Sequence, residues 1–227
     1  MRIGIISDTH GNLGGLMDVV QFLTEDVGVR RIFHLGHDYR DVEELLALKR
    51  DLLRNQKRKS GEDAGDNTDF FSDLAEAMTT TLDLATRTVL KADGDEVSQL
   101  RRLFVQVPGE GDETYGRGTW AHIDYEMLGD RIIAIVHNVK EMKKEDIATA
   151  HIVCYGGSHL YQVDRVGHRW FINPGHLMQG IEKGREPTFA VLDAEKDIPS
   201  LRIYNMDKQV VQEKDLVLDK KNKFSVS

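Results

Sequence analysis

The chain has 227 residues, 40% hydrophobic and 30% charged, with 30 Lys and Arg against 38 Asp and Glu, a formal charge of −8. That length supports a substantial core, as one domain or as a core plus an insertion, and the composition excludes disorder along the whole chain. The acidic balance disfavours a general nucleic-acid binder, and the lone cysteine, Cys154, excludes an internal disulfide framework and a cysteine-rich zinc module and fits a reducing compartment.

The first element is a strand over Arg2–Ser7, apolar on both faces and β-branched, hence buried between layers. It ends at Ser7-Asp8, too short for a signal-peptide core. No later run approaches membrane-spanning length, so a cytoplasmic location with no membrane contact is expected. Leu13, Leu16, Met17, Val20 and Leu23 follow at helical spacing. Arg31–Leu35 is a second strand, and Val42, Leu45, Leu46, Leu52 and Leu53 mark a second helix, giving the βαβ pattern of a parallel sheet.

Residues 48–102 read as a mainly helical excursion. A basic run at Lys49–Lys59 and a Gly/Asp-rich spacer at Ser60–Thr68 precede a helix carrying Phe71, Leu74, Met78, Leu82, Ala85 and Val89 on one face. The basic run is a solvated helix end or a recognition surface for an anion, and the apolar face covers the core, docks a protein partner or lids a site. Strand pattern resumes at Leu103–Val107. A hairpin follows over Ala121–Leu128, Gly129-Asp130 and Arg131–Val136, with a short helix at Lys143–Thr149. Further strands are expected at Ile152–Tyr155, Gln162–Val166, Trp170–Ile172, Thr188–Leu192 and Leu201–Tyr204, and residues 207–227 read as a flexible tail.

Polar residues gather at the ends of five of these strands: Asp8-Thr-His10, Gly36-His37-Asp38, Gly109-Glu110-Gly111-Asp112, His137-Asn138 and Gly156-Gly157-Ser158-His159. Open α/β sheets place ligands at strand ends. Each motif alone is an ordinary turn or cap, but the joint repetition points to one site. Mixed nitrogen and oxygen donors suit a divalent metal such as Zn, Fe or Mn.

In order and spacing these motifs resemble those of the calcineurin-like metallophosphoesterases, in particular their small prokaryotic phosphodiesterase branch, and Asn173-Pro174-Gly175-His176 resembles the N-P-G loop that follows there. The resemblance covers most of residues 1–47 and 103–205. It implies a four-layer α-β-β-α sandwich, here with a helical insertion, and a two-metal site whose ions share a hydroxide that attacks a phosphate ester. The metal ligands it implies are Asp8, His10, His137 and His159, unchanged from the family pattern, with His37 and Glu110 as exchanged ligand types. Gly157 stands where a ligand histidine is usual, and Gly111 where a His or Cys acid is usual. At the bridging carboxylate's position stands His37, with Asp38 one step later; either Asp38 takes that role or the bridge is gone.

These exchanges imply one occupied metal site, built from Asp8, His10 and His159 with His37 or Asp38, and a second that is weak or empty, holding His137 and Glu110. Glu110 and Asn138 are also expected to bind substrate, and His137 and His176 to take part in catalysis. His176 would replace a lost ligand or supply the missing acid; a loop-capping role is its alternative. His34, His122, His151 and His168 are read as structural, and Cys154 as a buried thiol. The function expected is metal-dependent hydrolysis of a phosphodiester or small phosphate ester by activated water. Its rival is a binding or scaffold subunit that keeps the fold without the catalysis.

Overall fold

A computed structural model describes residues 1–60, 96–117, 121–180, 184–195 and 198–218. The helix expected over Phe71–Leu90 lies outside them. Strand β1 (Arg2–Ile6) is apolar after Arg2 because each face meets a different layer: Ile3 and Ile5 point into a core between two sheets, and Ile6 points into a core under the helices. It pairs in parallel with β2 (Arg31–His34), which pairs in parallel with β3 (Phe104–Gln106). The second sheet holds β4 (Ile123–Leu128), β5 (Arg131–Val136), β6 (Ile152–Tyr155), β7 (Tyr161–Val166) and β8 (Arg169–Pro174), in the order β4-β5-β6-β8-β7. Strands β9 (Thr188–Asp193), β10 (Ser200–Asn205) and β11 (Val210–Asp215) then return to complete the first sheet, ordered β11-β10-β9-β1-β2-β3.

The inter-sheet core joins Ile3, Ile5, Phe33 and Leu35 to Ile133, Ile135, Ile152 and Ile172, all fully buried. Cys154 lies in it as a free, buried thiol, and desolvation pushes its pKa far above the ordinary value, which makes it inert. Helices α1 (Leu13–Gln21), α2 (Asp41–Ser60) and α3 (Glu96–Leu103) cover the outer face of the first sheet through Leu16, Val19, Val42, Leu45 and Val97. Helix α4 (Lys144–Thr149) covers the second sheet, its Ile147 against Ala134, Val136 and Val153. The result is two mixed sheets with helices outside both. The π-helical segment Phe22–Val27 that follows α1 approaches β1 closely because residue 4 is glycine: a Cβ there would lie 2.6 Å from Leu23 Cδ1. Among the described helices none is long and apolar enough to cross a membrane.

The βαβ opening and the hairpin lie where the sequence puts them, with Leu128 opposite Arg131 across Gly129-Asp130. Helix α2 runs unbroken through residue 48, where the excursion was expected to begin. The expected flexible tail is corrected over its first part. Val210–Asp215 is an edge strand on β10, Leu216 is fully buried, and the Trp170 indole N–H donates to the Val217 carbonyl at 3.1 Å. An edge strand is held by backbone hydrogen bonds on one side, and most of β11's side chains are exposed, so no apolar alternation marks it.

Ile135 is fully buried between the sheets. Ile135→Ala is expected to lower the unfolding free energy by about 2–5 kcal/mol in urea titration.

Candidate functional site

The loops after β1, β2, β3, β5 and β6 converge at one end of the sandwich. At the end of β1 the Asp8 carboxylate is fully buried. Its Oδ2 accepts from Ser7 Oγ at 2.6 Å and from the Gly157 amide at 3.0 Å, whereas Oδ1, also buried, has no hydrogen-bond partner among the described residues. Imidazoles surround that bare oxygen: His159 Nε2 lies 3.6 Å away and His37 Nδ1 3.7 Å. His10 Nε2 faces His159 Nε2 at 3.2 Å. Burial, first, and the neighbouring His37 hold the His10 pKa below its ordinary value, which keeps its ring neutral and its lone pair available.

Three sets of donor atoms lie within 4.8 Å of one another: Asp8, His10 and His159; Asp8, His37 and His137; and His10, His37 and Asp38. Nitrogens with one anionic oxygen are a donor set for a divalent transition metal, and the bare buried oxygen is an atom such a cation would satisfy. The residues fit the group. His137 is oriented for it as well: Nδ1–H donates to the Leu35 carbonyl at 2.7 Å, which leaves the Nε2 lone pair free.

Asp8, His10, His37, Asp38 and His159 all have left-handed backbone, with φ from 49° to 63°, a conformation costing roughly 1–2 kcal/mol per residue. Hydrogen bonds fix it. The Asp112 carboxylate accepts from the amides of Gly109, His37 and Tyr39 at 2.6, 3.0 and 3.2 Å. Fully buried His34 accepts from the Gly36 amide at Nδ1, so its Nε2–H donates to Thr9 Oγ1, which in turn donates to the Asp38 carbonyl. Burial pushes the His34 pKa down to about 4, so it stays neutral in this chain. Asp41 Oδ2 accepts from the Gly11 amide at 2.9 Å, and Asn173 Nδ2 donates to the Gly156 carbonyl and to Ser158 Oγ.

Of the expected ligands, the structure brings Asp8, His10, His37, Asp38, His137 and His159 together, and leaves Glu110 out. The Glu110 side chain is exposed and accepts from Asn138 Nδ2 at 2.8 Å, so the expected substrate pair forms a bonded rim. His176 corrects a second expectation. It is fully buried, its Nε2 bonds the Arg185 carbonyl at 2.8 Å, and its Nδ1 accepts from the Met178 amide at 3.1 Å. Neither nitrogen is left for a metal or a leaving group; the ring packs against His159, centroids 5.4 Å apart.

Ser7, His34, Thr9, Asp41, Asp112 and Asn173 support the site without having been assigned to it. Their signal was position alone, beside or inside the motifs. His122 does have a structural role: it stacks on Tyr115 at 4.4 Å and bonds Glu141 at 2.7 Å.

Residues 1–197 match the calcineurin-like phosphoesterase superfamily domain. No curated protein sequence matches the chain. Among solved structures, it resembles Yfce, a phosphoesterase from E. coli, at 15% identity and TM-score 0.56 over 96% of this chain and 100% of that one. A conserved uncharacterized protein of Streptococcus pneumoniae TIGR4, described as a predicted phosphoesterase, matches at 18% identity and TM-score 0.53 over 94% and 97%. Vps29 of Chaetomium thermophilum matches at 14% identity and TM-score 0.54 over 97% and 99%. At such identities the likeness is one of fold.

His34→Ala leaves the Gly36 amide without its acceptor, an unmet group costing about 1–3 kcal/mol, and removes the bond to Thr9 Oγ1, whose hydroxyl keeps the Asp38 carbonyl. Thermal melting should fall accordingly, and added Zn2+ should raise the melting temperature of this variant less than that of the parent.

Proposed function

We propose that this chain, which belongs to the calcineurin-like phosphoesterase superfamily, is a metal-dependent phosphoesterase acting on a phosphodiester or small phosphate ester. The observation that carries the reading is the buried Asp8 Oδ1, which has no hydrogen-bond partner among the described residues and faces His37 and His159. Asp8, His10 and His159 would hold the principal ion, Mn, Zn or Fe, with His37, whose Nδ1 lies 3.7 Å from Asp8 Oδ1, or Asp38 completing it, and Asp8, His37 and His137 would be the set open to a second. One carboxylate oxygen serves both sets, because Oδ2 is committed to Ser7 and Gly157, so one firmly held ion per chain is expected. A divalent metal bound there supplies Lewis acidity, lowering the pKa of a water and offsetting charge on the phosphoryl oxygens.

The chain's own residues do the rest. Asp8 supplies the fixed negative charge, and the hydrogen bond from His137 Nδ1 to Leu35 fixes its tautomer. The strained loops hold the imidazoles in place before substrate arrives, which spares reorganisation during reaction. Asn138, at the rim, presents an amide that can exchange Glu110 for a phosphoryl oxygen. Gly111 carries no side chain to protonate a leaving group, so esters with acidic leaving groups should react best.

A second reading, a binding protein on this fold, draws on the absence of Glu110 from the donor sets and on Gly157 where a ligand histidine is usual. The shared fold with Vps29 adds to it.

Hydrolysis of an aryl phosphodiester with added Mn2+, Zn2+ or Fe2+ separates the two. The phosphoesterase reading expects metal-stimulated turnover that falls at least about a hundredfold in Asp8→Asn, which removes the anionic ligand. Metal uptake without turnover, or an unaffected Asp8→Asn, would leave the binding reading.

A further inference from the structure

We infer that His37 and Gly111 act as a pair that recasts the centre as a nitrogen-rich site, and that His37 sets its selectivity for Zn2+ over Mn2+. The inference deepens the proposed metal dependence and rests on metal binding alone, not on catalysis.

A carboxylate after Gly36 would offer two hard oxygens; His37 offers one imidazole nitrogen. The ring reaches the centre, with Nδ1 3.7 Å from Asp8 Oδ1 and centroid distances of 4.1 Å to His10 and 5.9 Å to His137. It stands there because residue 111 has no side chain: a Cβ on Gly111 would lie 2.7 Å from His37 Nε2 and 2.9 Å from its Cδ2. Position 111 thus gives up its own side chain and admits one from position 37. The strained backbone that aims the ring is held by the bond from the His37 amide to Asp112.

Asp38 does not restore the missing oxygens at the Asp8 side. It belongs to the set with His10 and His37 alone, its Oδ2 is 3.8 Å from His10 Nδ1, and its side chain is 44% exposed. The two sets that include Asp8 therefore contain four imidazoles, His10, His37, His137 and His159, around one carboxylate. Imidazole nitrogen suits Zn2+, whereas carboxylate and water oxygens suit Mn2+. Exchanging an oxygen for a nitrogen gains more for the first ion than for the second.

The test is competition against a metallochromic chelator, run separately with Zn2+ and Mn2+ on chelator-stripped protein. Any nitrogen and oxygen site prefers Zn2+, so the measure is the change in the Zn2+/Mn2+ affinity ratio between variants. His37→Asp is expected to shrink that ratio at least about tenfold, and Gly111→Ala, which crowds the ring without changing a donor, to weaken Zn2+ binding by about tenfold. Melting of each stripped variant checks that it folds, and if His37→Asp does not, His37→Asn should lose more Zn2+ affinity than Mn2+ affinity. A folded His37→Asp with the parent's ratio overturns the inference. Turnover retained with that unchanged ratio leaves the phosphoesterase reading standing, and Zn2+ binding through His37 without turnover does the reverse. Uptake of neither ion overturns both.

Discussion

At the end of β1 the chain buries a carboxylate and satisfies only half of it. Ser7 and Gly157 bond one oxygen of Asp8, and the other faces His37 and His159 with no hydrogen-bond donor among the described residues. Burying an anion without a partner is among the most costly things a fold can do. The surrounding imidazoles and that oxygen are together a donor set for a divalent cation. The position of the site, its charge and its donor chemistry all follow from this one group.

The second demand is conformational. Asp8, His10, His37, Asp38 and His159 are held left-handed, a strain that persists only where the surroundings over-determine it. Here they do. Asp112 gathers three amides of the β2 and β3 loops, the chain from His34 through Thr9 to Asp38 ties the β1 loop to the β2 loop, and Asn173 braces the loop carrying His159. Apart from the Gly109–Asp112 bond, these bonds link segments from different strands, so the site's geometry depends on the sheets being correctly assembled.

Much of this was legible in the residues. The two-sided apolar character of β1, the βαβ order of the opening and the Gly129-Asp130 turn fixed most of the architecture, because those signals are local. The edge strand β11 was not legible, since its pairing is made by the backbone. His176 misled for a related reason: a histidine beside a ligand loop looks available until its two nitrogens are seen to bond Arg185 and Met178. Glu110 misled because its residue type is a ligand's while its side chain lies at the rim, bonded to Asn138.

The order of motifs along the chain determined the family, the central sheets and the residue types that meet at their ends, since each depends on short-range pattern. Which of those residues share a centre was decided by the tertiary structure. Side-chain direction and the space left by a distant glycine, as between His37 and Gly111, are set by contacts between segments that lie far apart in the chain.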